Sequence, residues 1–227
     1  MGEAKKVILR KFASMTKKQN KRGELPEKAL PKTNTPFPPV WREDIRQAVE
    51  VMQRGGVILY PTDTIWGIGC DACNAEAVRR VYEIKQREDA KALITLVDSE
   101  VKVESYVCEV PDVAWDLMEC AERPLTIIYD KARNLAENLP AEDGSVAIRL
   151  TREAFSRELC FRMRRPIVST SANRSGEPAP RCYAEIAPEL LAAVDYVCLS
   201  RRDEAPTGRA SSIIKLGSAG LIKIIRE

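Results

Sequence analysis

The sequence predicts a single α/β domain: a twisted mixed sheet, parallel and antiparallel, flanked by helices. Three observations lead there. Apolar runs of strand length alternate with segments of helical periodicity from about residue 41 onwards. Three short strands cluster late in the chain, where they can pair antiparallel. The 227 residues, 44% hydrophobic and 30% charged, suffice for one sizeable core.

Residues 1–40 read as a basic, proline-rich extension. They hold ten Lys/Arg against three Asp/Glu, and Pro26, Pro31, Pro36, Pro38 and Pro39 oppose regular structure. Val7, Ile8, Leu9 and Phe12 suit a short helix. The arm either contacts phosphate backbones or is a solvated tail. The whole chain is +3, so residues 41–227 are mildly acidic.

The body, 41–227, opens with Ile45, Ala48, Val49 and Met52 at helical spacing, and Gly55-Gly56 ends that helix. Val57 to Tyr60 is a buried strand, and Pro61 to Gly69 a polar loop. A helix follows over about Ala75 to Gln86, with Val78, Val81 and Tyr82 on its apolar side. Next come a strand at Leu93–Val97, a helix at Val113–Met118 and strands at Leu125–Tyr129 and Val146–Leu150. A helix at Ala154–Met163 precedes the strand at Ile167-Val168, which runs into Ser169 to Asn173. The chain finishes with a helix at Tyr183–Leu191 and strands at Tyr196–Leu199, Ser212–Leu216 and Leu221–Ile225.

Several chemistries are excluded. There is no histidine, so Ser-His-Asp and Cys-His catalysis are absent. Seven cysteines at 70, 73, 108, 120, 160, 182 and 198 read as reduced, mostly buried thiols. Cys70 and Cys73 form one CxxC, without the two further ligands a zinc site needs. No apolar run reaches the length of a membrane span and no signal peptide opens the chain, so the cytosol is the expected compartment.

Four segments carry candidate chemistry. Lys85, Arg87 and Lys91 suit a triphosphate if the helix ends there, or else a solvated helix terminus. Ser169, Ser171 and Asn173 share one face of an extended chain at the end of an apolar strand, where open α/β sheets bind ligands. A local turn would use the same residues. Pro61 to Gly69 offers Thr62, Asp63 and Thr64, and Gly67 to Ala72 weakly matches the dinucleotide pattern GxGxxA. Arg149 alternates with Val146 and Ile148, so it projects from the other strand face, towards an anion or a structural carboxylate.

Taken in order, four pieces resemble the YrdC-type threonylcarbamoyl-AMP synthase family. They are Gly55 to Cys70, Lys85-Gln86-Arg87, Ser145 to Arg149, and Pro166 to Gly176 with its Ser169-Thr170-Ser171-Ala172-Asn173. The resemblance implies a twisted sheet around a large concave cavity. It implies a nucleotidyltransferase that converts L-threonine, bicarbonate (or CO2) and ATP, with Mg²⁺, to threonylcarbamoyl-AMP and pyrophosphate. Partner proteins would then modify tRNA, with possible RNA contact through residues 1–40. ATP would be held by Lys85, Arg87, Lys91, Ser145, Ser169, Ser171, Asn173 and Arg226, and threonine by Thr64, Arg149 and Ser211. Departures from the family pattern are Glu88 and Ala92 for prolines, Glu122-Arg123-Pro124 for a Trp-Pro-Gly-Pro stretch, and Leu96 for an occasional histidine. They leave room for an alternative: a non-catalytic or differently specific paralogue that binds RNA or nucleotide. Asp63 is a possible general base.

Overall fold

A computed structural model of the protein describes residues 37–86, 93–204, 210–217 and 221–227. Arg87 and Lys91 lie outside the described residues, as do 1–36 of the predicted extension. Helix α1, Pro39–Gln53, begins two residues inside that extension, because Pro39 sits in the first helical turn, where its missing N–H is harmless. Phe37 stacks on Trp41 there, ring centroids 6.0 Å apart.

The chain continues through β1 (Ile58–Tyr60), β2 (Gly67–Gly69), α2 (Ala75–Lys85), β3 (Ile94–Val97), α3 (Glu100–Tyr106), α4 (Asp112–Glu119), β4 (Leu125–Tyr129) and β5 (Val146–Leu150). Then come α5 (Ala154–Met163), β6 (Ile167–Ser171), a 3-10 turn at Tyr183–Glu185, α6 (Pro188–Ala193), β7 (Tyr196–Val197), β8 (Ser212–Leu216) and β9 (Ile222–Arg226). The strands form one mixed sheet, ordered β7-β1-β2-β6-β3-β5-β4-β8-β9. β1/β7, β3/β5 and β4/β8 are parallel, and the other neighbours antiparallel. The predicted mixed α/β sheet is therefore present.

Three expectations change. The helix expected over Tyr183–Leu191 is split, since Pro188 cannot continue a helix from Ile186 and starts a new one instead. α3 was not expected: only Val103 on it is buried, so it carries no apolar stripe. β2 lies within the expected loop, and this removes the dinucleotide reading of its glycines. Gly69 is a sheet residue. A Cβ there would come within 2.6 Å of both Tyr60 Cε1 and the Val168 carbonyl oxygen. Gly69→Ala is expected to lower stability by about 3 kcal/mol, because one of the clashing atoms is backbone and must move. A wild-type midpoint in urea would refute this.

Packing divides the molecule into two apolar clusters. One joins α1, α2 and α5 to β1, β2 and β6, with Ile58, Leu59, Val78, Phe155 and Val168 at its centre. The other joins α3 and α4 to β4, β5 and β8, through Val103, Leu117, Ile127, Ile148 and Ile214. Both set the pleat. Val146 and Ile148 face the second cluster, so Arg149 faces the other way, as the alternation predicts. All seven cysteines are free thiols. Only Cys70, Cys160 and Cys198 are buried, whereas Cys108 and Cys120 are exposed, so "mostly buried" does not hold. Cys73 is pushed up to about 11, by burial first and by Asp71 next. Among the described residues no cluster could hold a metal ion.

Candidate active site

The site is built on one cross-strand row. Register places Leu96 of β3 and Thr126 of β4 on either side of Arg149, Ile213 of β8 beside Thr126, and Arg226 of β9 beside Ile213. Residues in register share a sheet face, so Arg149 and Arg226 project from the same surface. Ser169 extends that surface through its pairing with Ile94. Above it is a cavity of about 270 Å³, walled in part by Thr64, Trp66, Arg149, Ser169, Ser171, Ser211 and Arg226. Six of the eleven predicted site residues thus meet in one cavity, two residue sets expected for different substrates included.

Two guanidinium groups, Arg149 and Arg226, supply the positive charge of this cavity. Arg149 is 3% exposed, with one carboxylate near it: Asp63 Oδ1, 3.1 Å from Nη2. Arg149 Nη1 also donates to Thr64 Oγ1 at 3.5 Å. Arg226 donates through Nε to the Ser211 carbonyl (3.0 Å) and through Nη2 to Ser211 Oγ (3.3 Å). Ser211 Oγ lies 2.9 Å from Thr126 Oγ1. Burial, and then the positive charge of Arg149, lower the pKa of Arg226. Two cations held close enough to disfavour one another are relieved by a bound anion.

Lys85 departs from the simple phosphate-ligand picture. α2 does end there, capped by Gln86 in the left-handed conformation (φ 50°), which the convergence of Lys85 and Arg87 required. The Lys85 side chain, however, is only 2% exposed, and Nζ donates to the carbonyls of Ser171 and Asn173, both at 2.6 Å. The Ser175 N–H returns a bond to the Lys85 carbonyl (2.8 Å). Lys85 therefore ties the end of α2 to the exit of β6. Two separate segments named for ATP are thus fastened to each other.

Asn173 and Ser145 are not in the cavity wall. Ser169 and Ser171 share a face, but β6 stops at Ser171 and the chain turns, the Asn173 N–H bonding the Ser171 carbonyl at 2.9 Å. The Asn173 side chain donates to Arg174 O and Glu177 O (3.0 and 2.6 Å). Ser145 sits just before β5, its N–H held by Asp143 Oδ1 at 3.0 Å. Asn173 leaves the face shared by Ser169 and Ser171 because the strand ends before it.

Two positioning features were not anticipated. Arg201, in a left-handed conformation (φ 63°), pairs with Glu153 (3.1 Å) and Glu204 (2.7 Å) and donates to the Thr62 carbonyl (3.4 Å). It braces the Pro61–Trp66 loop. Asp44, accepting from Tyr196 Oη and the Leu199 and Ser200 N–H groups at 2.7 to 3.0 Å, fixes the chain leading into Arg201. Trp66 packs on Tyr183 (centroids 5.0 Å apart), and Arg202 lies 4.5 Å over the Tyr183 ring. An Arg-Arg pair between polar residues reads as solvated surface, so the sequence carries no signal for this brace.

The family model for Sua5, YciO and YrdC proteins, described as "Telomere recombination", matches residues 50–227. The chain belongs to this family. A threonylcarbamoyl-AMP synthase of Xanthomonas euvesicatoria pv. vesicatoria is 32% identical over 187 residues, covering 81% of this chain and 97% of its own. Among solved family structures, P. abyssi Sua5 complexed with L-threonine superposes with a TM-score of 0.70 at 28% identity, over 78% of this chain and 51% of that one. This chain thus spans about half of P. abyssi Sua5. E. coli YciO gives a TM-score of 0.70 at 25% identity, over 82% and 89% of the two chains.

Proposed function

We propose that the protein is a threonylcarbamoyl-AMP synthase, a nucleotidyltransferase acting on L-threonine, bicarbonate and ATP. The observation that carries this is the pair Arg149 and Arg226, set on one strand row beside the hydroxyls of Ser169, Ser171 and Ser211. A fixed guanidinium fork suits a carboxylate, and a hydroxyl row suits phosphate and ribose oxygens. The 32% identity to a synthase along nearly that enzyme's whole length supports the same reading.

In this reading Arg149 and Thr64 receive threonine, and Ser169, Ser171 and Arg226 receive ATP. Arg87 and Lys91 complete the phosphate contacts. Lys85 acts indirectly, by holding the Ser171 segment in place. The threonine nitrogen bonds to the carbonate carbon with loss of water. A carbamate oxygen then bonds to the α-phosphorus while pyrophosphate departs with the electron pair of the broken P–O bond. Fixed cations around that phosphorus stabilise the charge that develops there. No histidine or protein nucleophile is required.

The cavity wall offers hydroxyl and guanidinium groups and no carboxylate, a donor set that does not fit a protein-held magnesium. We propose that Mg²⁺ enters as the counter-ion of the triphosphate. No described helix is long and apolar enough to cross a membrane. Transfer of the product to tRNA by partner proteins, RNA contact through residues 1–40 and a cytosolic location belong to the same proposal.

Pyrophosphate release should require ATP, bicarbonate and L-threonine together. Release at an equal rate without threonine, or no release from the complete mixture, would refute the synthase reading.

A further inference from the structure

Thr126 of β4 lies on the cross-strand row of Arg149 and shares its sheet face. It is fully buried and does not line the cavity. The pairing of β4 with β8 brings it to Ser211, whose hydroxyl oxygen is 2.9 Å from Thr126 Oγ1. Either hydroxyl can donate across that distance, and the surroundings decide which one does. Among the described residues Ser211 Oγ is the one hydrogen-bond partner of Thr126 Oγ1. Were Ser211 the donor, the Thr126 proton would be left in a place closed to water, a costly arrangement for a buried hydroxyl. Ser211 has another outlet for its proton, since it lines the cavity. Thr126 is therefore the donor. Arg226 Nη2 also donates to Ser211 Oγ, at 3.3 Å. A hydroxyl oxygen accepts two hydrogen bonds, so both lone pairs of Ser211 are engaged and only its proton is open to a ligand.

We infer that Thr126 is a positioning residue that fixes Ser211 as a hydrogen-bond donor to an anionic oxygen of a substrate. The inference rests on the synthase reading and deepens it. The carboxylate of threonine and the phosphates of ATP both offer such an oxygen, which accepts and never donates. An ammonium offers donors only and finds no open lone pair on Ser211. This point of the wall therefore admits the anionic end of a ligand and turns away a cationic one. Arg226 is held beside it by two bonds, Nε to the Ser211 carbonyl and Nη2 to the Ser211 hydroxyl. Without the Thr126 proton, one Ser211 lone pair is unfilled and the hydroxyl can rotate, so its donor is no longer committed to the ligand.

The test is calorimetric titration of ATP, and separately of L-threonine, into wild type, Thr126→Val, Thr126→Ser, Ser211→Ala and the double variant Thr126→Val with Ser211→Ala. Valine keeps the shape of threonine and removes the donor. Ser211→Ala should weaken binding of one ligand by about tenfold, and Thr126→Val should weaken the same ligand by about fivefold. That ligand is threonine if the oxygen is its carboxylate, and ATP if it is a phosphate oxygen. In the Ser211→Ala background Thr126→Val should change affinity by less than about twofold, because Thr126 acts only through Ser211. Thr126→Ser keeps the hydroxyl and should stay within about twofold of wild type. Should Thr126→Val melt too low to titrate, Thr126→Cys decides: its weaker donor must lower the same affinity, and that loss must vanish in the Ser211→Ala background. Unchanged affinity in Ser211→Ala or in the Thr126 variant titrated, or an equal loss from that variant in both backgrounds, overturns the role of Thr126 and leaves the synthase reading standing. A wild type that binds neither ligand overturns both.

Discussion

Replacing Arg149 by methionine is expected to lower threonine-dependent turnover, as kcat/KM, by about a thousandfold, or about 4 kcal/mol. The residue is 3% exposed, and its guanidinium is the proposed carboxylate fork. Methionine fills a similar volume without offering a donor. A second effect follows from Asp63, whose side chain is 13% exposed and would lose its counter-ion. Breaking a buried pair from one side destabilises by about 3 kcal/mol. Adding Asp63→Asn should recover most of that stability and none of the activity. That split separates the electrostatic role of the pair from its binding role. ATP affinity should fall much less, since relief of Arg226 from its neighbouring charge partly offsets the loss. A variant with wild-type threonine KM would contradict the assignment, and steady-state pyrophosphate release against threonine concentration measures it.

Lys85→Met should lower stability and ATP affinity together. The ammonium donates to two carbonyls on the β6 exit, and its loss, which leaves the Ser171 carbonyl only the Asn173 N–H and takes this donor from the Asn173 carbonyl, costs about 2 kcal/mol. The freed segment contains Ser171, so ATP affinity should drop by about tenfold through lost positioning. Were Lys85 simply a phosphate ligand at a solvated helix end, ATP affinity would fall while the melting temperature stayed put. Thermal denaturation and calorimetric titration on one preparation distinguish the two. Lys85→Arg should restore the charge and only part of the tether, because a planar fork does not match two carbonyls placed for a compact ammonium.

Sequence and structure agree where a short-range pattern decides. α5 spans Ala154–Met163 in both, and β5 places Arg149 opposite Val146 and Ile148 because strand side chains alternate. Sequence reading falls short where long-range register decides. Nothing near Arg226 announces that β9, β8, β4 and β5 line it up with Arg149. Nothing near Lys85 announces that its ammonium meets carbonyls more than eighty residues away. β2 was missed because Gly-Ile-Gly has little strand propensity, and it is fixed by pairing with β1 and β6. Asn173 was misplaced because strand endings are set by turns rather than by side-chain pattern. The family resemblance named Ser145 and Ser169 for ATP and Arg149 for threonine, and of these Ser169 and Arg149 reach the cavity wall.

The most direct measurement of the central claim is mass spectrometry of the product formed with isotopically heavy bicarbonate. One adenylate should appear, containing threonine, AMP and the heavy carbon, only when ATP, threonine and bicarbonate are all present. Arg149→Met should not form it. An adenylate without the heavy carbon, or one formed equally well from other amino acids, would contradict a cavity that joins threonine, carbonate and ATP.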